Sequence, residues 1–314
     1  MRLLTTMQFS RYWRGNSPRH LLYVPSARKI VKRSRVPLRT RAGRNSPRTT
    51  ESRGVIWTLA ALGAGLAATV AAYAFRLFTA GGVAAALAVG AAVLLAGGWE
   101  LSLLLVGSFA STAILTRYRR AEKVQPEHRR GRSAIQVLAN GVVPAALAVA
   151  GKLLGLPWAI PGAAGAIAVT TADTWATELG LLSRQRPRLI TTGAPVERGR
   201  SGGITFLGTA AGVAGALVVG GGAVALLGVP AIAVAAAGVV GLLLDSVLGA
   251  TAQAVYTCPA CGRIGETPEC TCGATRPQTA GVARVTNDSV NVLGTLAGAL
   301  AAAGLAGVAA AASR

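Results

Sequence analysis

The chain holds three aspartates, and each is followed by a hydroxyl residue: Asp173-Thr174, Asp245-Ser246 and Asp288-Ser289. Each lies in a stretch otherwise apolar enough to cross a bilayer. There an ionised carboxylate is costly and persists only beside a partner in a protein-lined cavity. No Lys or Arg occurs within these three stretches. Hard oxygen ligands without a balancing cation call for a divalent metal, most simply Mg²⁺. Protonation is the other escape, and it would suit a proton-coupled transporter.

Helical spacing groups further polar residues with the acids. Thr170, Thr174, Thr177 and Glu178 fall on the arc of Asp173 at 100° per residue. Gly241, Asp245, Gly249 and Gln253 recur at four-residue intervals, a flat ridge that another backbone or a ligand could approach. Asp288, Asn291, Thr295 and Gly298 share a face beside Asn287, and Gln136, Asn140 and Pro144 are again four apart. Any one amide or hydroxyl could simply bond a neighbouring helix. Four polar stripes together want a common interior.

Two loops supply complementary chemistry. In Pro187–Gly203, Arg188, Arg198 and Arg200 bracket Gly193 and Gly199, and Arg200-Ser201-Gly202-Gly203 leads into an apolar run. Glycines before a helix expose N–H groups, and Arg grips phosphate bidentately, although this is no Walker A sequence. The other reading is an ordinary basic loop obeying membrane topology. All four cysteines lie within 15 residues, as Cys258-x2-Cys261 and Cys270-x-Cys272. They read as a small structural zinc knuckle; disulfides or a redox pair remain open. His20 and His128 lie in charged stretches and suggest no base or ligand.

The elements that must position these residues are membrane spans. Of 314 residues 52% are hydrophobic and 14% charged, with a mean hydropathy of +0.50, which excludes a soluble domain. The expected fold is all-α: a polytopic transmembrane bundle of about seven or eight spans. Candidates are 55–75, 82–97, 99–116, 133–150, 158–179, 203–227, 230–255 and 288–311, rich in the Gly and Ala that let helices approach closely in lipid. The loops 117–132, 180–202 and 256–287 carry nearly all the inter-helix Lys and Arg. They share one face, assigned to the cytoplasm or its equivalent. Whether the membrane bounds a cell or an organelle stays open.

The transmembrane domain is residues 54–314, including the Cys-rich loop 256–287. The arm 1–53 carries 14 Lys and Arg against Glu51 alone. It reads as disordered, whether a transit segment, an arm on anionic lipid or a mis-assigned start. It lacks a nucleic-acid-binding motif, so nucleic acid is not an expected partner. Eight spans would put this arm opposite the basic loops. Either 82–97 does not cross fully, or the arm is absent from the mature chain.

Read together, Gly131–Gln136, Ala172–Gly180, Pro187–Gly193, Gly199–Thr205, Leu243–Gln253 and Asn287–Ala299 closely resemble the integral-membrane family catalogued as domain of unknown function ninety-two. That family includes animal transmembrane protein nineteen and the plant phytyl-phosphate kinase. The resemblance covers about residues 55–311. It implies a kinase that uses a nucleoside triphosphate to convert a prenyl monophosphate to the diphosphate at the membrane lipid. In that chemistry Asp173, Asp245 and Asp288 would hold Mg²⁺, and Glu178, Asn140, Asn287 and Asn291 would orient phosphates. Arg200 and the amides of Ser201, Gly202 and Gly203 would bind the triphosphate, and Cys258, Cys261, Cys270 and Cys272 would hold structural Zn. The alternatives are a multi-pass transporter with an intramembrane acidic site and a lipid nucleotidyltransferase.

Overall fold

Apolar runs that must satisfy their backbone internally become helices, and helices dominate the structure. The computed structural model describes residues 62–119, 123 and 131–312. The arm 1–53 lies outside the described residues. The helices are α1 (Leu62–Ala74), α2 (Ala80–Arg117), α3 (Ala134–Leu154), α4 (Ala159–Gly180), α5 (Phe206–Leu227), α6 (Ala231–Thr251) and α7 (Asn287–Ala312). Among the described residues five of them, α2, α3, α5, α6 and α7, are long and apolar enough to cross a membrane. Their outward faces expose large apolar side chains such as Leu153, Phe206, Ile232 and Val308, as lipid contact requires.

Helix α2 is two spans. A straight helix would hold Phe78 and Phe109 roughly 45 Å apart at 1.5 Å per residue, yet their rings stack with centroids 4.8 Å apart. The chain therefore reverses within α2, at Gly98, whose φ of 84° and ψ of 176° break the helix. Before the break, Gly82 packs on the Arg132 carbonyl and Gly97 on Ala148, so this first limb runs beside α3 for most of its length. The apolar runs expected at 82–97 and 99–116 are thus two helical limbs joined by a hairpin.

Helix α4 is the centre of the bundle. It carries Asp173 and Glu178, and α2, α3, α5, α6 and α7 all pack against it. Small residues make this possible, because lipid gives helices little hydrophobic reason to associate and close van der Waals contact must do so. A methyl on Gly165 would collide with the Gly298 carbonyl of α7, one on Gly238 with Ala168, and one on Gly212 with the Ala172 carbonyl. Polar pairs complete the α2–α4 seam: Ser108 with Thr171, and Trp175 Nε1 donating to Ser111 Oγ at 3.1 Å.

The chain enters and leaves these helices at definable signals. Ser133 and Gln136 form a reciprocal capping box at α3, Thr205 caps α5, and Gly155 and Gly228 close α3 and α5 in the left-handed conformation. The run expected from 203 is therefore helical only from Phe206, and the run expected to 255 is helical only to Thr251. Long connections gather at one end of the bundle, and the short turns at Gly98, 155–158 and 228–230 lie at the other. Two small antiparallel sheets order the long connections. One pairs β1 (Arg188–Leu189) with β2 (Gly203–Ile204), and the other runs β4 (Ile264–Gly265), β3 (Val255–Thr257), β5 (Gln278–Ala280).

Candidate functional site

A cavity of about 930 Å³ opens among the long connections. Asp173 of α4 and Asp245 of α6 line it, about two turns from the loop-side ends of their helices. Thr174, Thr177 and Glu178 line it too, as the arc around Asp173 predicts. Thr170 does not; its hydroxyl donates to the Asn140 carbonyl at 3.3 Å. The reason is Pro144, which has no N–H to give that carbonyl four residues back. A hydroxyl on α4 thus satisfies the gap and ties Asn140 to the site, where Asn140 and Gln136 are both part of the wall.

The ridge on α6 is used along its whole length. Gly241 meets Val169 and the Gly294 carbonyl, Asp245 packs near Gly294, and Gly249 touches Gly202 and Ser201. Gln253 Nε2 donates to Ser201 Oγ at 3.0 Å. The segment Arg200–Gly203 is thereby laid against the end of α6, with Gly199 and Gly202 at φ 81° and 75°. Arg200, Ser201, Gly202 and Gly203 all line the cavity. The Gly203 amide, expected to face an anion, instead donates to the Arg200 carbonyl at 2.9 Å to close the turn. The start of α5, with Thr205, Gly208 and Thr209 in the wall, takes over as the helix N-terminus facing the cavity.

On α7, Asn287 and Asn291 line the cavity. Asp288 does not: one residue from Asn287, it is turned about 100° around the helix and stands half-buried at the mouth, in reach of the Glu266 charge. The acids are not left without cations, contrary to the pattern within the spans. Lys123 Nζ pairs with Glu178 at 2.8 Å, and Thr116 donates to the same carboxylate at 2.6 Å. Arg132, just ahead of α3, lies within electrostatic reach of Glu178 and Asp173. Its guanidinium is 5.6 Å from the centre of the Phe109 ring. Burial pushes that guanidinium below its ordinary value, and the two carboxylates act against the shift. Burial likewise lowers Arg200, opposed by Glu266.

Glu266 is the residue that sequence spacing does not reveal. It follows β4 in the Cys-rich loop and accepts a hydrogen bond from Ser201 Oγ at 2.5 Å. Its charge acts on Asp173, Asp245, Asp288 and Arg200, which come from four different elements. The one linear signal is that it lies between the two thiol pairs, which fix the loop.

Among the described residues, the four cysteines are the group whose ligand atoms converge as a metal requires, with every sulfur within 4.8 Å of the others. Individual separations are 3.5 Å for Cys258–Cys272, 3.6 Å for Cys261–Cys270 and 3.3 Å for Cys270–Cys272. A tetrahedral thiolate site with bonds near 2.3 Å has edges of about 3.8 Å, whereas a disulfide needs about 2.05 Å. The cluster could therefore hold a metal. The backbone N–H of Cys272 draws the Cys270 thiol down to about 6. Among the described residues, Asp173 and Asp245 have no third carboxylate at ligand distance.

Comparison with known proteins places residues 63–299 in a match to the family described as Integral membrane protein DUF92. The uncharacterized membrane protein MJ0933 of Methanocaldococcus jannaschii is 38% identical over 156 residues, 49% of this chain and 65% of that protein. Protein PGR of Arabidopsis thaliana is 32% identical over 231 residues, 63% of this chain and 79% of that protein. No solved structure matches.

Proposed function

Because the chain belongs to the family Integral membrane protein DUF92 and is a multi-pass membrane protein, we propose that it transfers the terminal phosphoryl group of a nucleoside triphosphate to a prenyl monophosphate. The observation that supports this reading is one cavity lined by Asp173 and Asp245 together with Arg132 and Arg200. An acceptor phosphate is already ionised, so the reaction needs no strong base. Its oxygen attacks the terminal phosphorus, a new P–O–P bond forms, and the bond to the departing nucleoside diphosphate breaks. The obstacle is repulsion between polyanions, which positioning and positive charge relieve.

Asp173 and Asp245 fit Mg²⁺, because that ion commonly takes one or two carboxylates and completes its shell with phosphate oxygens and water. When bound, it supplies neutralising charge to the triphosphate. Asn140, Asn287 and Asn291 offer amides around the same space, and Arg200 with the Thr205 and Thr209 hydroxyls offers donors to the triphosphate. Arg132, at the other wall, suits the acceptor phosphate. Leu77, Phe109, Leu242 and Leu243 form the apolar wall for the first isoprene units, and Leu243 is 43% exposed on the outside of α6. The four cysteines would hold zinc in a structural role, since four thiolates would leave it no open position.

The site sits at one end of the bundle, which favours phosphoryl transfer over transport through a mid-bilayer site. The test is purified protein in detergent with Mg²⁺, a nucleoside triphosphate and phytyl or geranylgeranyl monophosphate, with products identified by mass. Prenyl diphosphate and nucleoside diphosphate are expected, and Asp245→Asn should lower their formation by roughly 10²-fold or more. Release of pyrophosphate with a nucleotide-linked lipid would instead make the protein a nucleotidyltransferase.

A further inference from the structure

A single short segment joins the cysteine cluster to the cavity. Cys258 N–H donates to the Arg263 carbonyl at 2.9 Å, and Tyr256 and Thr257 of β3 pair with Gly265 and Ile264 of β4. The first thiol pair thus closes a hairpin whose far strand, β4, runs directly into Glu266. On the other side Cys270 N–H donates to the Ala274 carbonyl at 3.1 Å, and Glu269 bridges Thr275. Between the two turns lies Arg276, only 2% exposed, whose Nη1 donates to the Glu269 carbonyl at 2.9 Å. Its guanidinium fills the space where Gly265 has no side chain.

Glu266 is therefore held from behind by the knuckle. In front, its carboxylate receives the Ser201 hydroxyl, and that hydroxyl also receives Gln253 Nε2. Ser201 is fastened to two elements at once, the end of α6 and the knuckle. Arg200 beside it faces the Glu266 charge. Gly202 is wedged against Ala250. Without Glu266 the segment keeps its seat on α6 and its backbone ties to β1, among them the Ile190 N–H donating to the Gly202 carbonyl at 3.0 Å, but the Ser201 hydroxyl loses its hold on the knuckle.

We infer that Glu266 is a positioning residue for the anion-binding segment Arg200–Gly202, and that a metal in the four-cysteine cluster is what holds Glu266 in place. Metal loading of the thiols thereby controls phosphate binding in the cavity, although the cluster itself does not touch the phosphate. This rests on reading Arg200–Gly202 as the triphosphate site. It does not require that the bound phosphate be transferred.

The experiment measures binding of magnesium tripolyphosphate to the full chain in detergent by calorimetry, with thiol-bound metal counted by elemental analysis. Glu266→Ala should weaken binding roughly tenfold or more, as losing a group that orients a ligand-binding residue commonly does. Glu266→Gln, whose amide oxygen still accepts from Ser201, should restore most of it. Stripping the metal from wild type should weaken binding to the Glu266→Ala level, and stripping it from Glu266→Ala should cause no further loss, since both act through one contact. Unchanged binding in Glu266→Ala, additive losses, a chain carrying no thiol-bound metal, or wild type that fails to bind tripolyphosphate would each overturn the inference. Turnover of prenyl monophosphate, followed separately, reports on the proposed kinase alone: its absence with the binding pattern intact refutes that activity and leaves the coupling standing.

Discussion

Arg132 owes its position to backbone and ring contacts made before any ligand arrives. Its N–H donates to the Leu77 carbonyl at 2.8 Å, its carbonyl accepts from Thr79, and its guanidinium lies over Phe109, which stacks on Phe78. Gly131 lets this happen, because a side chain there would strike the backbone of Leu77 and Phe78. A planar guanidinium can stack on the ring and still fork toward a phosphate, which an ammonium cannot do. Arg132→Ala should therefore lower kcat/KM for prenyl monophosphate by roughly 10²-fold. Arg132→Lys should recover little of it despite the retained charge, which steady-state kinetics on both variants will check. A lysine that restores full activity would mean that charge alone matters.

Within an element, the conformational demands on the two loop glycines differ in a way that can be measured. Gly193 and Gly202 both have positive φ, at 68° and 75°. Around Gly193 a methyl group would meet open space, while on Gly202 it would strike the backbone of Ala250. Gly193→Ala should cost only the left-handed penalty, about 1 kcal/mol, and leave phosphate binding nearly intact. Gly202→Ala adds a collision that must push the segment off α6, so it should abolish tripolyphosphate binding. Thermal unfolding in detergent should shift only modestly in both, because the bundle core does not include this loop. Equal binding by the two variants would show that the segment's seat on α6 is unimportant.

For the whole molecule, the arrangement of ends makes a topological prediction. The long connections 181–205 and 252–286 lie at the cavity end, and the turns 155–158 and 228–230 lie at the other. Arg184 and Arg198 on the one loop and Arg263 and Arg284 on the other should therefore be cut by trypsin from the same side of sealed vesicles, the cytoplasmic or equivalent side. Peptide mapping after protease addition to right-side-out and inverted vesicles checks this. Cleavage of the two loops from opposite sides would mean that they cannot share one cavity, and the proposed phosphate site would not exist.

Much of this was legible in the linear chain. Apolar runs with uncharged turns between basic loops dictate a multi-pass helical bundle, because lipid cannot hydrogen-bond an exposed backbone. Asp173 and Asp245 stand out because a carboxylate in such a run is too costly without a purpose, and four-residue spacing places Gly241, Asp245 and Gly249 on one working face of α6, with Gln253 reaching Ser201 from just past the helix end. The thiols declared themselves by proximity in sequence. Tertiary structure alone decided which groups meet across elements. It brought Glu266 and Arg132 to the acids, paired Lys123 with Glu178, turned Asp288 aside from the cavity and occupied the Gly203 amide within its own turn. Helical periodicity fixes the face a residue occupies on its own helix. The partner opposite depends on how loops fold back over the helix ends, and no period in the sequence encodes that.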